Sequence, residues 1–367
     1  HAAIAEMRAK GVTILGTGEP RIGAHGTPVI FLHPKEMGGV LIELQPGAVR
    51  SAIIGVGINL KLPPDLPPDV ASAATVIAAE TMQPSAKSSE SVRHTGPSAL
   101  TVMVNSTDDF VDATPGDGVC ESSLGSGNCS LRAGIQESNA WPGPDTIVLP
   151  AGVYNFGLFG TNEDAAATGD LDITDSVVIS GAGSSAVIVD ADDLDRVFDI
   201  WSTGDVTITG LQIQYGWLYS ANGGGIRHND GHLILQDVIV RNNFVACGEK
   251  ASSAGGGFFG VGGCIATFSG QLDLQDVTIQ DNGAQCSAGG LFIGSSQVRM
   301  TASSLLSNTT YYGDGGGIYN TLGRIEIVDS TVQGNQAGSN GGGLSNLAGS
   351  VAVVDASTFS GNVASFD

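Results

Sequence analysis

The stretch "GGGIYNTLGRIEIVDSTVQGN", residues 315–335, decides how most of the chain folds. A glycine run gives way to the apolar Ile318, alternation then sets Ile325 and Ile327 on one side of an extended segment, and Val332 leads into Asn335. Period-two alternation interrupted every few residues by Gly and Asn predicts short strands joined by tight bends. The layout recurs. With Asn335 as the anchor, the equivalent closing residues are Gly216, Asn243, Asn282, Asn308 and Asn362, and the six are spaced 27, 39, 26, 27 and 27 apart. The long unit carries an insertion, "CGEKASSAGGGFF", and the others share one period.

Stacking the units on that anchor produces columns. Three positions before it stand Ile213, Val240, Ile279, Leu305, Val332 and Phe359; eight before it stand Ile208, Leu235, Leu274, Met300, Ile327 and Val354. Ten before it stand Val206, Leu233, Leu272, Val298, Ile325 and Ala352. The last two columns are one strand with one face inward, and the first lies on another strand beyond a bend. Upstream of each comes a Gly-Gly turn running into a further strand, as in "GGGIRH" and "GGCIAT".

Three short strands per 26–27 residues predict a mainly β chain folded as a parallel β-helix, right-handed because parallel crossovers are. Aliphatic columns fill its interior, while Asn243, Asn282, Asn308, Asn335 and Asn362 form a structural ladder, each within reach of the next at a rung spacing of about 4.8 Å. "GDLDITDSVVISGAG", "SAVIVDADDLDRVFDI" and "GDVTITGLQIQYG" read as earlier rungs. Leucine-rich repeats need a different signature, and propeller blades need a longer period.

Ahead of the rungs, "GDGVCESSLGSGNCSLRAGIQESNAW", residues 116–141, contains an amphipathic helix with Ser130 as N-cap and Leu131 and Ile135 on one face. A helix just before the first strand, read as "DTIVLPAGVY", suits a lid on the exposed end of a solenoid. Cys120 and Cys129 bracket a short Ser/Gly step and are expected to form a disulfide. Cys247 and Cys286 each lie four residues past an anchor, which puts them on neighbouring rungs at bridging distance. Cys264 is left over and points into the core. Two bridges argue for an oxidising compartment, and no CxxC pair supports zinc.

The residues "CSLRAGIQESNAWPGPDTIVLPAGVY" resemble the CSLREA motif of secreted bacterial right-handed β-helix proteins of the pectin-lyase-like superfamily, with Ala133 where the motif has Glu. The Gly-Gly-x-Ile turns at Gly223–Ile226 and Gly315–Ile318, and Phe359-Ser360-Gly361-Asn362, resemble polymorphic outer-membrane protein repeats. The resemblance covers about residues 100–367 and implies a secreted or surface-displayed protein; the C-terminal membrane barrel of those relatives is not among these residues.

Residues 1–46 read as compact α/β, with a helix in "AAIAEMRAKGV" and strands in "TPVIFLHP" and "GGVLIELQ". Through "GAHGTPVIFLHPKEMGGVLIEL" they resemble the C-terminal end of methylmalonyl-CoA epimerases of the glyoxalase-like superfamily. That resemblance makes Glu43 a metal ligand, but the upstream segments bearing the family's other ligands are missing. "IGVGINLKLPPDLPP", within 47–80, resembles a fragment of biotin protein ligases, and the Ser/Pro-rich 81–99 reads as a linker. Two enzyme fragments so close together imply a fused, chimeric reading frame. The organisation expected is therefore 1–46, 47–80 and 81–99 as just described, 100–145 as cap and 146–367 as β-helix. The chain begins at His1 rather than Met, without a signal-peptide layout, and ends in mid-pattern at "TFSGNVASFD", so further sequence is expected at both ends.

Across 367 residues, 15 Lys and Arg face 37 Asp and Glu, a formal charge of −22 with no basic cluster, which excludes nucleic acid as a partner. No apolar run approaches the roughly 20 residues of a transmembrane helix. A hydrolase of this fold would gather carboxylates on one exposed sheet, and a lyase would pair an acidic cation site with Arg or Lys. Asp237, Asp276 and Asp329 stand six before their anchors as an interrupted ladder, at a bend where Asp bonds its own backbone. Arg241, Arg299 and Arg324 have no consistent carboxylate beside them. Asp190, Asp192, Asp193 and Asp195, like Asp108, Asp109, Asp112 and Asp117, could bind Ca²⁺ but match no defined loop motif. His228 and His232 flank a turn and are expected to be exposed. The favoured reading is a non-catalytic binding or adhesion module for a polysaccharide or cell-surface ligand, with no required cofactor. The alternatives are a polysaccharide lyase or hydrolase and remnant epimerase activity from residues 1–46.

Overall fold

Strands form in this chain where aliphatic residues alternate, and they end where the backbone must turn left-handed. The computed structural model describes residues 99–161, 163–247 and 262–365, together with the strands Arg21–Ile22, Pro28–Leu32 and Ile42–Leu44. Two compact units divide the chain at about residue 93. In the first, the three strands just named pair antiparallel into one sheet. The helix expected near its start, the biotin-ligase-like stretch and the linker lie outside the described residues.

The second unit is a right-handed parallel β-helix of about seven turns. One rung shows the plan: Ile318–Asn320, Arg324–Val328, Thr331–Gln333 and Gln336–Ala337. Equivalent strands stack in parallel register. The Ile318 strand belongs to a first sheet of seven strands. The next two occupy two lanes of a second, central sheet, and the last belongs to a third sheet of six. The expected columns are the observed register, with Val298 opposite Ile325, Met300 opposite Ile327 and Leu305 opposite Val332. All six side chains are buried.

Four strands per rung, rather than three, is a correction. The extra strand follows the Asn anchor and is two residues long in most rungs, too short to show alternation. Stacking creates it: Gln336 and Gly338 donate their N–H groups to the carbonyls of Asn308 and Thr310 on the preceding rung, each at 2.9 Å.

The interior is tied by side-chain ladders as well as by apolar contact. Each of Asn243, Asn282, Asn308 and Asn335 donates from Nδ2 to Oδ1 of the next Asn at 2.9–3.1 Å. Each backbone N–H of the four also donates to that oxygen at 2.9–3.2 Å. A second ladder, unread in the sequence, uses serine: Ser303 and Ser330 donate their N–H groups to Oγ of Ser330 and Ser357 at 3.1 and 3.0 Å. Its column, five before the anchor, is Leu211, Val238 and Val277 in the earlier rungs and switches to Ser from 303 onward.

The helix, Leu131–Ala140 (α1), is capped by Ser130, whose Oγ accepts the Ala133 N–H at 3.1 Å and donates to Phe110 O at 2.7 Å. Two expectations change. A strand, Thr101–Met103, precedes α1 and pairs in parallel with Asp145–Leu149, so α1 lies between the first two strands of the central sheet in sequence. The helix is also not half solvated, since Leu131 through Ser138 are all buried. It packs against the first strands of the central sheet, with Gly134 so close to Val102 that a Cβ there would fall 3.2 Å from Val102 Cγ1. Its polar side is covered by the loops before and after it.

Cys120–Cys129 and Cys247–Cys286 are disulfides, with Cα separations of 5.1 and 6.0 Å. Cys264 is a free thiol in the core, where burial pushes its pKa up. No helix among the described residues is long and apolar enough to cross a membrane.

His228 is a further correction, because it is fully buried. It ends the strand Ile226–His228, whose first and third residues face inward, and it stands in register between Ile200 and Thr267. Nδ1 meets Thr267 Oγ1 at 3.0 Å and Nε2 has no partner. Burial lowers its pKa to about 4, opposed by Asp230. The unfolded chain takes up this proton near pH 6.5 and the folded one only near 4, so its contribution is intact above 6.5 and lost as pH falls to 4. Linkage sets this loss at up to about 3 kcal/mol. His228→Ile, matching Ile200 and Ile293 in the same column, is expected to remove that component. Urea midpoints at pH 7.5 and 4.5 for both proteins check it, and equal pH dependence would refute the assignment.

Candidate functional site

Two outer faces of the β-helix carry chemistry. On the first sheet, the first and third residues of each strand fill the core, so the middle ones face outward. Register aligns Asp172, Asp199, Arg227, Ala266, Phe292 and Tyr319 in one row. The row begins as a charged cluster. Asp199 Oδ1 accepts Nε of Arg227 at 2.8 Å, and Oδ2 accepts from Arg227 and, at 3.1 Å, from Arg196 Nη1. Arg196 also pairs with Asp170, and its Nε donates to the carbonyls of Asn222 and Gly223. The Arg227 guanidinium lies over the Trp201 ring at 4.9 Å.

Asp172 accepts the Ala166 N–H on Oδ2 at 2.8 Å, while its Oδ1 is buried without a partner. One carboxylate oxygen each from Asp164, Asp172 and Asp199 lie within 4.8 Å of one another. Burial raises the Asp170 pKa to about 8 against the pull of Arg196, and the Asp172 pKa to about 7 against the Ala166 N–H. Asp195 is raised too, chiefly by burial. Asp172 and Asp199 expose 0% and 2% of their surface, so a polymeric substrate in solution does not reach them. Farther along the row, Phe268, Phe292 and Tyr319 stack at 5.4 and 6.1 Å, and Phe292 and Tyr319 are also buried.

The third sheet presents an open aromatic strip. Trp217, Phe244 and Gly283 are in register on successive rungs. The Phe244 ring lies over Gly283, where a Cβ would fall 2.8 Å from its Cδ2, and Tyr311 meets that ring edge-on at 6.2 Å. Glycine at 283 is thus what lets the ring lie flat. Trp217, Tyr219, Tyr311 and Tyr312 are all exposed, from 41% for Trp217 to 80% for Tyr312.

The residues singled out in sequence occupy other places. Asp237, Asp276 and Asp329 are exposed at the bend between the two central lanes, with φ of 49°, 52° and 48°. Gly210, Ala302 and Ala356 fill the same place in other rungs, also at positive φ, so the column answers a backbone requirement that Gly and Asp meet most easily. Asp190 accepts the Asp192 N–H on one oxygen and Gln214 Nε2 on the other, Asp192 and Asp193 turn left-handed, and Asp195 caps its neighbour's N–H. These four carboxylates do not converge. Asp109 pairs with Arg132, Asp112 accepts the Glu121 N–H and Asp117 the Val119 N–H. Arg299 stands in register between Asp273 and Glu326, an alternation of charge hidden in the linear sequence. His232 is half-buried and meets Asp273 at 2.9 Å and Asp205 at 3.5 Å. Glu43 lies on Ile42–Leu44, and its side chain is outside the described residues.

Sequence reasoning missed the first-sheet cluster. Its row members Asp172, Asp199 and Arg227 fall on strands spaced 27 and 28 residues apart, but an outward column repeats no residue type that would reveal it. The signal available was the density of Asp and Arg in "GDLDI" and "DLDRVFDI" combined with Arg227.

Comparison with known proteins touches only the N-terminal stretch. The chain is 54% identical over 44 residues to an ethylmalonyl-CoA/methylmalonyl-CoA epimerase of Cereibacter sphaeroides, 12% of this chain and 33% of that protein. It is 53% identical over 45 residues to the human mitochondrial methylmalonyl-CoA epimerase, 12% of this chain and 25% of that one. The chain therefore spans about a quarter to a third of the length of these curated relatives. No protein-family description and no solved structure matches the chain. The β-helix thus stands on its own geometry.

Proposed function

We propose that the β-helix is a secreted or cell-surface, non-catalytic binding module that takes carbohydrate on the aromatic strip of its third sheet. The observation that carries this reading is the in-register pair of exposed Trp217 and half-buried Phe244, with exposed Tyr311 edge-on to Phe244 and the exposed Tyr219 and Tyr312 on neighbouring positions of the same face. Aromatic faces bind the apolar faces of sugar rings, and rigid ones bind at low entropic cost. Of the buried acids of the first sheet, Asp170 and Asp199 are engaged in ion pairs and Asp172 is enclosed, which supports binding over catalysis. Two disulfides support an oxidising compartment. With a net charge of −22, neutral polysaccharides are the favoured class over acidic ones.

The proposed binding role draws nothing from the epimerase-like stretch, which covers only about a quarter to a third of those relatives' length. The test is a panel of neutral and acidic polysaccharides read for binding, for unsaturated products and for new reducing ends. Binding to a neutral polymer is expected, weakened about tenfold or more by Trp217→Ala, since one stacked ring contributes on the order of 1–2 kcal/mol. Turnover with either chemical readout would move the protein to the lyase or hydrolase class, and unaltered binding by Trp217→Ala would remove the strip from the site.

A further inference from the structure

We propose that Asp164, Asp172 and Asp199 bind one Ca²⁺ ion that pins the loop 163–169 onto the outer face of the first two rungs. Asp172 and Asp199 are in-register neighbours at the start of the first sheet, and Asp164 reaches them from the loop. The three oxygens lie within 4.8 Å of one another, close enough to share one ion at Ca²⁺–oxygen distances of about 2.4 Å.

An acidic cluster alone would be no site, since exposed carboxylates gather without ions on many surfaces. Here the second observation is Asp172, whose Oδ1 is fully buried and has no hydrogen-bond partner while Oδ2 is held by the Ala166 N–H. A buried carboxylate oxygen without a donor is unfavourable, and a bound cation satisfies it. Charge points the same way. Beyond burial, the neighbouring Asp199, Glu163 and Asp164 repel a charged Asp172, and a cation among them relieves that repulsion. Asp164 is exposed, so water can complete the coordination and the ion has an entry path.

The site is separate from the aromatic strip and stands whether or not that strip binds sugar. The experiment uses the full chain after chelator treatment and dialysis, with Ca²⁺, Mg²⁺ and Tb³⁺ as the probes. Ca²⁺ is expected to raise Tm with half-saturation in the range of about 0.1–1 mM typical of extracellular sites. Excitation of tryptophan should sensitise Tb³⁺ emission through Trp201, which stacks on the guanidinium bound to Asp199, and Ca²⁺ should displace the Tb³⁺. Asp172→Asn and Asp164→Asn should each weaken the Ca²⁺ response tenfold or more, and Asp190→Asn should leave it unchanged. Asp164 is on the surface, so that variant tests the site even where the buried one unfolds. A Tm indifferent to Ca²⁺, or a response that survives Asp164→Asn, overturns the site; displacement of Tb³⁺ by Mg²⁺ as readily as by Ca²⁺ overturns the choice of ion.

Discussion

Arg132→Met is expected to destabilise the β-helix by about 3–5 kcal/mol, the cost of breaking a buried ion pair from one side. The Arg132 side chain is fully enclosed and every arm of its guanidinium is engaged. Nε and Nη2 grip Asp109 at 2.6 and 3.1 Å, Nη1 donates to the carbonyls of Ala166 and Asp170 at 3.1 Å each, and Nη2 donates to Gly169 O at 2.7 Å. Phe156 covers the guanidinium at 5.3 Å. Methionine fills much of the volume but leaves Asp109 charged, with only the N–H groups of Gly157 and Leu158 as donors. The double variant Arg132→Met, Asp109→Leu should recover part of the loss, because the stranded charge goes with its partner. Urea denaturation of the single and double variants measures this. A single variant within 1 kcal/mol of the parent would show that the helix is held by its apolar contacts with Val102 and Ile147 instead.

That arginine shows where sequence reasoning succeeds and where it stops. Leu131 and Ile135 were legible as the inner face of α1 because a helix repeats every 3.6 residues. Arg132, Gln136 and Glu137 read as the solvated face by the same logic, and they are buried instead. Gln136 Nε2 bonds the carbonyls of Ala165 and Ala166, and Glu137 accepts the N–H groups of Gly116 and Gly118. Nothing local announces a loop from 30 residues away, so polarity there reads as exposure. His228 misled in the same way, since "RHNDGH" looks like a hydrated turn while its strand carries His228 inward.

The rungs were legible for a physical reason of their own. In a solenoid, each inward column is a repeated demand for an apolar side chain, so six copies of one constraint appear as a period. The third-sheet strands are made by their neighbours rather than by their own residues. "GA", "TT" and "QA" have no common preference for extended structure, yet stacking aligns them. Both candidate faces inherit that difficulty. Outer columns are free to vary from rung to rung, so Asp172, Asp199 and Arg227, or Trp217 and Phe244, become neighbours only once the register is known.

Asn308→Ala is expected to cost about 3–4 kcal/mol, more than the same change at Asn362, because an inner ladder position leaves two buried groups of the preceding rung unpaired. Asn308 Oδ1 accepts from the N–H and Nδ2 of Asn282, and Asn308 Nδ2 donates to Ile279 O at 2.9 Å and to Asn335 Oδ1 at 3.0 Å. Truncation strands the Asn282 N–H and the Ile279 carbonyl, whereas Asn335 Oδ1 keeps the Asn308 N–H and Asn282 Nδ2 keeps Val240 O. Each of the two stranded groups costs about 1–3 kcal/mol. Asn362 is half-buried, so water can replace its side chain in the bonds to Asn335. Because each rung contacts only its neighbours, a weakened junction can also split the unfolding transition. A lower urea m-value for Asn308→Ala, with an unchanged one for Asn362→Ala, would locate that split at the ladder. Equal losses at the two positions would mean that the Asn column is kept for the shape of its bend, with the side-chain hydrogen bonds contributing little.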